Sequence, residues 1–79
     1  MSDVKIQIEL ERLALSVDEV AGLLGVSARH TWKLHATGRV PRPVRLGRSV
    51  RWQRKELLAW LDAGAPTRDR WEATRGQER

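Results

Sequence analysis

The sequence of 79 residues predicts a mainly α-helical fold with one small β-hairpin. Three observations predict it. Ser16 to Ser27 spells a helix, a glycine turn and the start of a second helix. Val44 to Trp52 alternates apolar with basic residues around Gly47. Leu57, Trp60 and Leu61, with Leu58 beside them, give an apolar stripe at helical spacing. This is enough for one small domain with one core.

The first helix is expected over Val17 to Leu24. Ser16 caps it, Glu19 three residues later completes a capping box, and Leu15 with Val20 forms a hydrophobic staple. Gly25 stands where the helix must end in a left-handed conformation. Gly22, mid-helix, costs about 1 kcal/mol against alanine and marks either close backbone approach or tolerance. Ser27 caps the second helix, Ala28 to Thr37. Val17, Val20, Ala21 and Leu24 face Thr31 and Leu34 across the turn, and Ala21 is small where the helices cross. Helix, sharp turn, helix in this spacing is the helix-turn-helix pattern, whose second helix reads DNA.

The same pattern occurs in proteins that never touch DNA, so charge has to decide. The formal net charge is +5, but its distribution says more. Ala28 to Lys55 holds nine Lys or Arg and no acid, while all ten acids lie in the flanks. Such a one-sided footprint suits a polyanion. On the second helix Ala28, Thr31, Leu34 and His35 fall inward. Arg29, Lys33 and Ala36 fall opposite, with His30, Trp32 and Thr37 on the shoulders. Arg29 suits the bidentate fork on guanine, and Lys33 suits a base or a phosphate. His30 suits a base edge or a phosphate. Trp32 is expected beneath the hairpin, and His35 as a half-buried structural histidine.

Gly38 and the prolines Pro41 and Pro43 end the helix and start an extended path. Val44-Arg45-Leu46 and Val50-Arg51-Trp52 then read as a hairpin turning through Gly47-Arg48-Ser49. Val44, Leu46, Val50 and Trp52 are expected to face the helices, with Arg45 and Arg51 outward and Arg48 at the tip. Beside a helix-turn-helix such a hairpin is a wing, and Arg39, Arg42, Arg45, Arg48, Arg51 and Arg54 supply its donors. A third helix follows over Arg54 to Ala63, stopped by Gly64 and Pro66.

The ends are less patterned. Val4, Ile6, Ile8 and Leu10 alternate with polar residues, which suggests a short strand within an N-terminal extension, residues 1–12. The winged domain is expected over residues 13–64. Residues 65–79 read as a polar, flexible tail, frayed or weakly helical, with Trp71 its only large apolar side chain. No a/d pattern supports a coiled-coil arm there.

Other functions lack their residues. There is no cysteine, and His30 and His35 point apart on their helix, so no metal or other cofactor is expected. No catalytic arrangement appears in the helix-turn-helix region, so no enzyme is expected. No membrane span or signal-peptide core appears, which suits a cytoplasmic location. The rival class is a protein-interaction module that docks through the Val4 to Leu10 edge or the Trp71 tail.

From Leu13 to Leu61 the chain resembles the AlpA/excisionase branch of the MerR-like winged helix-turn-helix domains. The resemblance rests on Val20-Ala21, Leu24-Gly25-Val26-Ser27, Gly38 to Gly47, Val50-Arg51-Trp52, Leu57 and Ala59-Trp60-Leu61. It implies a winged helix-turn-helix that binds double-stranded DNA, with the second helix in the major groove and the wing on the backbone or minor groove. Ser27, Arg29, His30, Lys33 and Thr37 are then the helix contacts. Arg39, Arg42, Arg45, Arg48, Ser49 and Arg51 are those of the wing and its flanks. Its small members are excisionase-like factors or prophage transcription regulators of bacteria and their phages. An integrase or RNA polymerase, and cooperative self-association on DNA, are the further partners implied. Three departures stand out: Thr31 and His35 replace larger apolar residues, which should loosen the second helix, and Lys55 replaces a small polar cap.

The charge run carries a quantitative expectation. If about five of these basic residues meet phosphates, log affinity for duplex DNA falls against log salt with a slope of about −4.5. A flat response in a salt titration contradicts phosphate contact.

Overall fold

The computed structural model describes residues 12–77; the Val4 to Leu10 strand lies outside them. In chain order the elements are β1 (Ala14–Leu15), α1 (Val17–Leu24), α2 (Ala28–Ala36), β2 (Val44–Leu46), β3 (Ser49–Gln53), α3 (Arg54–Asp62) and α4 (Arg68–Gln77). It is a winged helix-turn-helix, mainly α.

Both helices of the motif start on side-chain caps. Ser16 Oγ accepts from the Glu19 N–H at 3.2 Å, and Glu19 accepts from the Ser16 N–H at 2.9 Å. That backbone bond is the main reason the Glu19 carboxyl titrates below its ordinary range. Gly25 closes α1 at φ 72°, where a side chain would be strained. Ser27 Oγ accepts from the His30 N–H at 3.0 Å and starts α2. Thr31, expected to loosen α2, is fully buried, and its hydroxyl donates to the Ser27 carbonyl at 3.0 Å. Its polar atom is satisfied locally, so its burial leaves no open cost.

The sheet is antiparallel with order β1-β3-β2. Its third strand is Ala14–Leu15, which pairs Ala14 with Gln53 and Leu15 with Trp52. The hairpin corrects the expected facing. Ser49 belongs to β3 and pairs with Leu46, so the turn is the two residues Gly47 and Arg48, with Gly47 at φ 65°. Losing one turn residue shifts the register by one and reverses every face of β2. Arg45 therefore lies opposite Val50, on the side of Trp52, and Val44 lies opposite Arg51. Leu46, expected inward, is 57% exposed.

Leu15, Val20, Val40, Trp52, Leu57, Trp60 and Trp71 form the core, with Val17, Leu24, Leu34 and Val50 at its margin. Leu61, expected within the α3 stripe, and Leu58, expected to widen it, are both exposed, and only Leu57 and Trp60 of α3 join the core. Of the two forms expected for the tail, frayed or weakly helical, Arg68–Gln77 takes the helical one as α4. Trp71 is 7% exposed within the core, and its indole donates to the Glu56 carboxylate at 3.0 Å. It is therefore not free to dock a partner. A single indole gives this polar helix enough buried area to pack.

Trp71→Ala should lower the unfolding free energy by about 3–5 kcal/mol in urea titration. A loss under about 1 kcal/mol, within the range of ordinary surface changes, contradicts its place in the core. Gly22 is exposed, and a Cβ there meets nothing within 4 Å, so tolerance explains it. Gly22→Ala should stabilise by about 1 kcal/mol in the same titration.

Candidate nucleic-acid interface

The outer face of α2 follows from its inner one. Thr31 is buried, and Ala28, Leu34 and His35 are half-buried, which leaves Arg29, His30, Lys33 and Ala36 exposed. Among the described residues no hydrogen bond or ion pair engages the side chains of Arg29, His30 or Lys33. Two other expected contact residues serve α2 itself. Ser27 is its N-cap, and the Thr37 hydroxyl donates to the Lys33 and Leu34 carbonyls at 2.8 and 3.3 Å. Trp32 packs beneath the hairpin, as expected. Its ring lies 5.8 Å from that of Trp52, yet the residue is 42% exposed.

The arginines from Arg39 to Arg51 take four different placements. Arg45 borders a cleft between α2 and the wing, together with Trp32, His35, Arg42, Pro43 and Val50. Arg39 and Arg48 are exposed, Arg48 at the wing tip. Arg51 lies on the far face of the sheet with Ser49, and its guanidinium donates to the Val50 carbonyl at 2.8 Å. Arg42 is turned toward α4, where it pairs with Glu72 at 3.1 Å while staying largely exposed.

His35 sits where these parts meet. Its ring is edge-on to Trp52 at 5.7 Å and lies 6.0 Å from Trp32. Arg68 Nη2 stands 3.0 Å from Nδ1. A guanidinium can only donate, so Nδ1 accepts and the ring proton sits on Nε2. Burial, then the charges of Arg68, Arg42 and Arg45, lower the His35 pKa from its ordinary value. The ring is neutral at pH 7.

The second helix of the motif thus presents a basic outer face beside a basic wing. The profile of one protein family, described as a helix-turn-helix domain, matches residues 14–65. The chain belongs to the helix-turn-helix domain family. No curated protein and no solved structure matches it. The helix-turn-helix domain is a DNA-binding one, and DNA is the partner this supports. Among the described residues no helix is long and apolar enough to cross a membrane, and no three metal-ligating side chains come together.

Helix α4 lies beyond the stretch matched as a helix-turn-helix domain, and the residues missed from sequence are on it. Arg68 and Glu72 looked like ordinary tail charges. The one signal was Trp71, a large apolar residue in a polar stretch.

The His35 geometry gives a pH dependence for this helix-turn-helix domain. Unfolded, the ring takes a proton near 6.5; folded, only at lower pH. The stabilisation is complete above that value and is lost as pH falls through the folded pKa. Unfolding free energy should therefore drop as pH falls below about 6.5. In His35→Asn the amide oxygen can take the place of Nδ1 without titrating, and the curve should flatten. Equal slopes in the two proteins contradict this. Glu19 acts lower, below about 4.5.

Proposed function

We propose that the chain binds double-stranded DNA with sequence specificity, α2 in the major groove and the wing along the backbone or in the minor groove. The exposed, unengaged set Arg29, His30 and Lys33 carries the proposal. Arg29 would fork onto a guanine edge, His30 and Lys33 onto bases or flanking phosphates. Arg45, beside α2, and Arg48, at the tip, are the wing donors best placed for phosphates. Arg39 is exposed and flanks α2. Ser27 and Thr37 would contribute backbone or secondary contacts, since their hydroxyls are engaged within α2. Arg42 would have to leave Glu72 to reach DNA, and Arg51 and Ser49 lie on the sheet's other face.

The biological role we propose is that of an excisionase-like factor or small prophage transcription regulator, resting on the resemblance of Leu13 to Leu61. An excisionase-like factor would bind tandem sites, bend them and direct an integrase. A regulator would act on RNA polymerase at a promoter. Binding to adjacent sites would bring copies of the chain together.

Selection of duplexes from a random pool at about 0.15 M salt tests both parts. The wild-type chain should enrich a defined motif. Arg29→Ala should blur one position, worth about 1–3 kcal/mol of discrimination. Tandem copies in the enriched duplexes favour the excisionase-like role, and inverted copies favour a dimeric regulator. Absence of enrichment contradicts sequence reading.

A further inference from the structure

Helix α2 buries only Thr31 completely, so its own packing holds it thinly. Its N-terminal end is fixed by the Ser27 cap and the turn from α1. Its C-terminal end has local bonds from Thr37 and from the Arg39 N–H to the Leu34 carbonyl at 2.8 Å, and it is held from outside as well. The Arg68 backbone N–H donates to the Gly38 carbonyl at 2.9 Å. Arg68 Nε donates to the Val40 carbonyl at 3.1 Å, and Nη2 reaches the His35 carbonyl and Nδ1, each at 3.0 Å. One planar guanidinium thus ties the last turn of α2 to Val40, a fully buried core residue. A fixed positive charge also suits a helix C-terminus, where the dipole is negative.

We infer that Arg68 is the positioning residue of the reading helix, setting the angle at which Arg29, His30 and Lys33 meet base pairs. The inference rests on the DNA-binding function proposed above and adds α4 to the machinery. Trp71 seats α4 in the core, so the brace has a firm base. The guanidinium is rigid and always charged, with donors spread across one plane. A lysine in its place supplies a point charge that cannot hold Val40 and both His35 acceptors together. Through His35 the brace also reaches Trp32 and Trp52, joining α2 to the wing.

The test compares affinity for the selected duplex with affinity for a scrambled one. The proteins are wild type, Arg68→Met, Arg68→Lys and Glu72→Gln, each checked for folding by near-UV circular dichroism. Both Arg68 variants should lose about tenfold in the ratio, equivalent to one bidentate base contact, with scrambled-duplex affinity nearly kept. Glu72→Gln, which cuts only the exposed pair with Arg42, should keep the ratio. If the methionine variant does not fold, the lysine variant decides. A preserved ratio in the Arg68 variants overturns the inference. So does an equal loss on both duplexes, which is what a merely weakened fold gives, or an equal loss of ratio in Glu72→Gln. If wild type shows no preference, the functional proposal fails, and amide exchange in the free protein then judges the brace. Faster exchange at Thr37 and Arg39 in Arg68→Lys supports it; unchanged exchange overturns it.

Discussion

The structure depends on where one indole, that of Trp52, is placed. It sits on the central strand of the three-stranded sheet, is 1% exposed, and pairs through its residue with Leu15 on β1. Its Nε1 donates to the Pro41 carbonyl at 2.9 Å, which ties the wing to the path leaving α2. Its ring meets Trp32 and His35 on α2 itself. Helix α2 and the wing are therefore fixed to each other through this side chain. The chain has no Phe or Tyr, so tryptophans carry the aromatic part of the core. Each buried indole also needs an acceptor, and Pro41, Pro66 and Glu56 supply them to Trp52, Trp60 and Trp71. These bonds fix orientation where burial alone fixes only proximity.

The electrostatics follow from that frame. Acids are absent from Ala28 to Lys55 and return in α3 and α4. Folding engages two of them, Glu56 against Trp71 and Arg75, and Glu72 against Arg42. Both lie on the α4 side of the domain. Among the described residues no acid pairs with the outer face of α2, whose positive charge suits a polyanion. The aromatic and basic side chains also converge on His35, a residue buried enough to stay neutral among three arginines.

Much of this was legible from residue order. The caps at Ser16 and Ser27, the turn at Gly25 and the inner face of α2 are local features, set by neighbours within a few positions. The hairpin was legible in place but not in register. Gly47-Arg48-Ser49 admits a two- or three-residue turn, and only pairing with β3 chooses between them. That choice moved Arg45 toward α2 and Leu46 into solvent. Helix α4 was hidden for a different reason. Its partners Gly38, Val40 and His35 lie about thirty positions away, and periodicity carries no record of such contacts. The same distance explains why Arg42 read as a free wing donor, when Glu72 holds it from α4.

The most direct measurement is a titration of the labelled protein with duplex DNA, following backbone amide chemical shifts. The account places the largest changes on Arg29, His30 and Lys33, with a second set at Arg45 and Arg48. Changes confined to the opposite elements, around Leu58 and Leu61 of α3, with α2 unmoved, would contradict it.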